Sequence, residues 1–250
     1  MKKTILINKQ EGETPLEALE KFRRKNPEYK NLPITYAGRL DPMASGLLLL
    51  LAGEETKQKE KYLGLTKEYK FSVLFGFATD TFDILGKVVD NMQGDPLKGP
   101  PSQSEGGPLG KGAPYTFRQT YPAYSSKTVK GRPLFDYARK GEAVEAQTRE
   151  VTVTGLKQIK SRKISANVLL KNIERRIKKV KGDFRQQEIL KIWRKHLSRN
   201  DKKYVVVDFH IKCSSGTYVR SIAEEMGKKI GVPALAFFIE RTRIGKWYKM

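Results

Sequence analysis

One carboxylate in this chain sits where backbone chemistry can aim it. Asp41 lies within Thr35-Tyr36-Ala37-Gly38-Arg39-Leu40-Asp41-Pro42-Met43-Ala44-Ser45-Gly46, and the apolar run Leu47 to Leu51 follows. Glycine adopts positive φ without a steric penalty, and proline holds its own φ near about −65°. A turn so built can hold an acid at a set angle beside a pocket. A carboxylate there can act as a covalent nucleophile, and it is costly to leave unpaired once taken out of water. An ordinary Asp-Pro turn leading into a buried helix would use the same residues.

The composition says what such an acid would meet. The 250 residues carry 49 Lys+Arg against 27 Asp+Glu, a formal net charge of +22. An excess of that size points to a polyanion, either nucleic acid or an anionic membrane. No apolar run reaches the roughly 18 residues of a membrane span, and the N-terminal Met1 to Lys9 has too short an apolar core for a signal peptide. A single cysteine, Cys213, excludes an internal disulfide and fits a reducing cytoplasm. With only His196 and His210 beside it there is no metal-ligand spacing. No phosphate-binding P-loop and no dinucleotide fingerprint is present.

The elements that must position Asp41 are partly readable. Thr4 to Asn8 is strand-like. Thr14-Pro15-Leu16-Glu17 reads as a helix start, with Thr14 as N-cap, Pro15 at the first helical position and Glu17 closing a capping box. Leu16, Leu19 and Phe22 continue it at helical spacing, and Arg23 to Tyr36 reads as a basic connection. Leu47 to Leu51 is too short to type by its period. Tyr69 to Phe77 has β-rich composition, with Lys87-Val88-Val89 as its candidate hairpin partner. A Gly-, Pro- and Ser-rich loop follows at about 92–114. Arg132 to Arg139 looks helical and Glu150 to Leu156 looks like a strand. From about 160 to 203, apolar marks (Ile164, Val168, Ile173, Ile177, Val180, Ile189, Ile192) recur in a dense Lys/Arg background, which reads as one or two amphipathic basic helices. Such a charge run is either a solvated face or an RNA-gripping insertion, and the whole-chain charge favours the second. Tyr204 to Cys213 reads as a strand, Tyr218 to Lys229 as a helix, and Leu235 to Ile239 as a short strand or turn.

Five blocks, in order, resemble one family. The segment Gly38 to Gly46 is similar to the catalytic-aspartate motif G-x-L-D-P-x-A-[ST]-G of TruB-type tRNA pseudouridine synthases. Lys9 to Pro15 is similar to that family's K-P-x-G-x-T-S. Lys67-Glu68-Tyr69 through Gly76, Thr79-Asp80-Thr81, Asp83 and Gly86 resembles K-x-Y-x(6)-G-x-x-T-D-T-x-D-x-x-G. Gln119 to Gly131, continued by Asp136-Tyr137-Ala138-Arg139, resembles Q-x-P-P-x-Y-S-A-x-K-x-x-G. Cys213 to Arg220 is similar to C-S-x-G-T-Y-[IV]-R, and Arg241 to Gly245 looks like the closing strand. Any one block is weak, whereas five in the right order are strong. Tyr36 stands where the bacterial family usually has His, Arg39 where it has Thr, and Gln10 where it has Pro.

The resemblance implies a single α+β catalytic domain over 1–250, a central mixed, largely antiparallel sheet with flanking helices. It implies a basic helical insertion at about 160–203 and, since the chain ends at Met250, no C-terminal RNA-binding PUA domain. The implied reaction is isomerisation of uridine 55 in the T-arm of tRNA, by a cytoplasmic monomer needing no cofactor, membrane or protein partner. Asp41 is then the nucleophile, Arg220 its charge partner, and Tyr69 the residue that stacks on the flipped base and handles the C5 proton. Tyr218 and Ile239 line the base pocket, Tyr36 stacks beside RNA or packs, and Lys9 and Arg39 contact phosphates. Two alternatives stay open: a pseudouridine synthase acting on another RNA such as rRNA, which Arg39 favours, and a non-catalytic RNA-binding protein.

Overall fold

The computed structural model describes residues 3–89, 114–198 and 201–249. The Gly/Pro-rich stretch expected at about 92–114 lies outside the described residues except for Pro114.

The architecture is α+β. Strand β1 (Thr4–Lys9) precedes helix α1 (Pro15–Lys25), and β2 (Ile34–Ala37) leads through the Asp41 turn into β3 (Ala44–Ala52). Helix α2 (Lys59–Leu63) and β4 (Lys67–Phe75) follow. After the undescribed stretch come β5 (Tyr115–Thr120), the two-residue strands β6 (Thr128–Val129) and β7 (Arg132–Pro133), helix α3 (Leu134–Lys140) and the long β8 (Thr148–Ser165). The chain continues as α4 (Ala166–Ile177), α5 (Gln186–Leu197), β9 (Lys203–Cys213), α6 (Val219–Ile230), β10 (Ala234–Ile244) and β11 (Trp247–Tyr248). Among the described residues the main sheet runs β1-β3-β10-β4-β9-β8-β5, with β2 beside β3 and β11 beside β10. All of these pairings are antiparallel except β3 with β10.

The apolar run after Asp41 is a strand, and its five leucines show why periodicity could not type it. Leu47, Leu49 and Leu51 face one core with Tyr62 and Ile244. Leu48 and Leu50 face another, against Ala18 and Leu19 of α1. A strand buried on both faces loses its polar alternation and reads as a continuous apolar run. Each leucine so buried contributes about 1.5–3 kcal/mol relative to exposure. The α1 start forms as expected: Thr14 Oγ1 accepts from the Glu17 amide at 3.2 Å, and the Glu17 carboxylate accepts from the Thr14 amide at 2.7 Å.

Helix α6 covers one face of the central strands, where Ile222, Ala223 and Met226 meet Phe71, Val73 and Val207. The antiparallel α4–α5 hairpin covers the other, where Ile173, Ile177, Ile189 and Trp193 meet Leu74, Val206, Leu235 and Phe237.

Several sequence expectations are corrected. The stretch from Arg23 to Tyr36 is more than a connection, since Ile34 to Ala37 pairs with β3. Lys87-Val88-Val89 is not a partner of β4, whose neighbours are β9 and β10; Val88 bridges Thr79 instead. The strand begun near Glu150 runs on to Ser165, because Gly155 to Ser165 pairs with β9. Among the described residues β5 pairs only with Thr148 to Val153, so the rest of β8 has one open side, where Lys157, Lys160 and Lys163 are exposed; such lysines are a common way of blunting a sheet edge, and they made 160–165 resemble the basic helices that follow. The helices proper are α4 and α5, and Lys203 already belongs to β9. The short strand at Leu235 to Ile239 extends to Ile244, held between β3 and β4. Among the described residues no helix is long and apolar enough to cross a membrane.

Candidate active site

The turn that carries Asp41 joins β2 to β3 at the point where β10 runs parallel to β3. Gly46 takes φ +103°, and a Cβ there would overlap the Arg241 backbone, so glycine is what lets β10 approach. Arg241, only 1% exposed, then fastens the turn from below. Its Nε donates to Leu47 O at 2.7 Å, Nη2 to Gly38 O at 3.1 Å and Nη1 to Arg39 O at 3.3 Å. The Pro42 carbonyl accepts from the Gly12 amide at 2.8 Å, tying the turn to the β1–α1 connection.

Arg220 reaches Asp41 from the first turn of α6. Its Nε donates to Oδ2 at 2.8 Å and its Nη2 to Oδ1 at 3.1 Å. The same guanidinium donates to Thr81 O at 2.6 Å and Tyr124 O at 3.2 Å. Charge-assisted paired bonds of this kind are stronger and more directional than neutral ones. The Arg220 side chain is 3% exposed and that of Asp41 37%. The acid is thus held from behind by a buried cation while staying open to a ligand. Tyr218, the residue before α6, has its backbone gripped by the Gln119 amide, which accepts from Tyr218 N at 2.8 Å and donates to Tyr218 O at 3.1 Å.

A second acid stands behind the pair. The Asp83 carboxylate accepts from Thr81 Oγ1 at 2.7 Å and the Leu85 amide at 2.9 Å, and lies 3.9 Å from Arg220 Nε. Burial pushes its pKa up to about 6; the Asp41 charge adds to that and Arg220 opposes it. Tyr69, on β4 opposite Arg241, is buried, which drives its hydroxyl up to about 12.

These groups share a cleft of about 960 Å³. It brings together seven of the eight residues singled out from the sequence: Asp41, Tyr69, Arg220, Tyr36, Tyr218, Ile239 and Arg39. Arg39 is exposed there, and Tyr36 has the Lys59 ammonium 6.0 Å from its ring centre.

Lys9 departs from its expected role. It is fully buried, and its ammonium donates to Gln10 O at 2.9 Å and Glu13 O at 2.5 Å. Burial lowers its pKa to about 8, with the charge of Asp41 the largest opposing influence. It is a structural cation behind the turn rather than a phosphate contact, because strand β1 pairs with β3 through to Lys9↔Gly46 and carries the side chain inward.

Asp83, Arg241, Gln119 and Lys67 had no role assigned to them, although each lies within a motif block. Burial lowers the Lys67 pKa to about 8 at the cleft wall. Arg149, Phe184 and Arg185 also line the cleft, and no local pattern in the sequence marks them.

Comparison with known proteins follows the same line. The N-terminal-domain model of the TruB family of pseudouridylate synthases matches residues 28–173. Over 96% of its length the chain is 31% identical to tRNA pseudouridine synthase B of Aquifex aeolicus, covering 67% of that protein. It is 30% identical to tRNA pseudouridine synthase B of Levilactobacillus brevis over 96% of its length, covering 66% of that protein. The chain thus spans about two thirds of the length of these relatives. Among solved structures, one chain of a crystal structure of a Cbf5-Nop10-Gar1 complex superposes with a TM-score of 0.56 at 18% identity, covering 99% of this chain and 50% of that one. That likeness is one of fold.

Proposed function

This chain belongs to the TruB family of pseudouridylate synthases, and on that premise we propose that it converts uridine to pseudouridine in tRNA, at position 55 of the T-arm, with Asp41 as the nucleophile. The observation that carries the reading is the paired grip of buried Arg220 on a solvent-facing Asp41 at the floor of the cleft. A purely RNA-binding protein has no use for an aimed carboxylate backed by a desolvated cation.

The reaction breaks the bond from N1 to C1′, turns the base, forms a bond from C5 to C1′, and moves the C5 proton to N1 through solvent or a side chain. Nothing is oxidised or gained, so the chain's own groups suffice for it. The base must first leave its stack. Asp41 then attacks C6 of the base or C1′ of the ribose; Arg220 keeps it charged and aimed in either case. Tyr69, Tyr218 and Ile239 border the space for the flipped base. With its hydroxyl pushed up to about 12, Tyr69 works as a neutral phenol that stacks and relays a proton, not as a phenolate base at neutral pH. Arg39 and the exposed lysines of the α4–α5 hairpin, among them Lys178, Lys179 and Lys181, supply phosphate contacts that position RNA without reading sequence.

The test is a uridine-containing T-arm transcript incubated with the protein and with Asp41→Ala, with pseudouridine mapped by base-specific modification and primer extension. Product at position 55 from the wild type alone establishes reaction and nucleophile together. Product only on a ribosomal RNA transcript moves the substrate, and equal behaviour of the two proteins removes the enzyme reading.

A further inference from the structure

Arg185, in the turn between α4 and α5, is one of three non-glycine residues with positive φ among those described, at +61°. Such backbone strain in a side-chain-bearing residue persists only where the surroundings hold it. The turn is stapled by Gln186, whose side chain accepts from the Phe184 amide at 2.9 Å and donates to Val180 O at 3.1 Å and Gly182 O at 2.8 Å. The helices behind it are locked to the core. Buried Arg176 donates to Glu11 at 2.8 Å and to Phe237 O at 2.6 Å, and Trp193 Nε1 donates to Ile84 O at 3.1 Å.

From this rigid base the Arg185 guanidinium makes two contacts. Nη1 donates to Asp80 Oδ2 at 2.7 Å, and the cation lies 4.4 Å from the ring centre of Tyr124. Asp80 in turn accepts from the Lys87 amide at 2.8 Å, which fixes the Asp80 segment. Asp80 adjoins Thr81, and Thr81 O and Tyr124 O are the two backbone acceptors of Arg220. Arg185 therefore grips the same two segments whose carbonyls hold Arg220.

We propose that Arg185 is a positioning residue for the Asp41–Arg220 pair, clasping the 79–83 and 121–126 segments so that their carbonyls stay aimed at Arg220. The Arg185 and Asp80 side chains are 23% and 25% exposed, and an isolated, partly solvated ion pair of this kind would contribute little. Here the ion pair is combined with a ring contact and a strained backbone on a stapled turn. Supporting residues that lock the groups around a reacting centre matter through geometry, since small misplacements cost rate. The proposal rests on the reading of Asp41 and Arg220 as the reacting pair.

The experiment compares wild type, Arg185→Ala and Arg185→Lys in the full chain. Single-turnover pseudouridine formation at saturating enzyme, Kd for the T-arm transcript and amide hydrogen exchange are measured on each. Arg185→Ala should slow the bound, single-turnover reaction by ~10–100-fold, over and above any change in Kd. Exchange should quicken in 79–83 and 121–126 while α4 and α5 stay protected. Arg185→Lys should recover part of the rate, since it keeps the charge beside Asp80 but not the flat stacking surface. An unchanged rate overturns the proposal, and so does a loss confined to Kd, which would make Arg185 an RNA contact. Loss of protection throughout α4 and α5 in both variants overturns it in favour of a folding role. If the wild type forms no pseudouridine on this RNA, the functional reading fails, and hydrogen exchange alone decides the clasp: faster exchange in the two segments supports it and unchanged exchange overturns it.

Discussion

Arg220 holds Asp41 through two nitrogens, Nε to Oδ2 at 2.8 Å and Nη2 to Oδ1 at 3.1 Å, across a sequence separation of 179 residues. Removing the guanidinium takes away the cation that lies 3.9 Å from buried Asp83. Arg220→Ala should therefore destabilise the fold by about 3–5 kcal/mol in urea denaturation, as for other broken buried pairs. Arg220→Lys keeps the charge but loses the paired geometry. It should fold and bind RNA while forming pseudouridine ~100-fold more slowly; wild-type turnover in that variant would show that the paired geometry is unimportant.

On the proposed reaction, two variants of Tyr69 separate stacking from proton handling. Tyr69→Phe keeps the ring and should keep affinity for the T-arm transcript, while the rate falls ~100-fold or more. Tyr69→Leu should weaken RNA binding as well, by about 1–3 kcal/mol. Equal affinities for the Phe and Leu variants would mean that the ring packs only against protein.

Arg39 and Lys9 should differ in how salt acts on RNA binding. Arg39 is exposed at the cleft, so Arg39→Ala should lower the slope of log K against log salt by about 1. Lys9 is fully buried, so Lys9→Met should leave that slope alone and show its effect in thermal stability. A reduced slope for Lys9→Met would place that ammonium on the RNA after all.

Asp83 gives a pH test with a definite sign. Its carboxyl is raised from 3.8 to about 6, so between these values the folded protein holds a proton that the unfolded chain has released. Stability from this group is complete below 3.8 and is lost as pH rises through about 6. Asp83→Asn removes the titration. Between the acid and neutral ends of that window the variant should gain on wild type by on the order of 2 kcal/mol, read from denaturant midpoints at both ends. Parallel stability curves would show that Asp83 does not titrate in this window.

What the sequence determined by itself is what neighbouring residues encode. The Thr14–Glu17 capping box forms as its four residues dictate, and the glycines and proline around Asp41 build a turn because backbone freedom is a local property. Apolar spacing pointed to one or two basic helices over about 160–203 for the same reason, and α4 and α5 lie within that range. The ordered motif blocks identified the family and nominated Asp41, Tyr69 and Arg220, which the fold brings into one cleft. The tertiary structure alone decided the rest. The five leucines became a strand because a core lies on each side of them. Lys9 turned inward because β1 pairs with β3. Arg241, Asp83 and Arg185 took their places through contacts between segments far apart in the chain. Local propensity carries no record of which distant strands will pair, and the partner of a buried charge is fixed only once the sheet order brings it within hydrogen-bond reach.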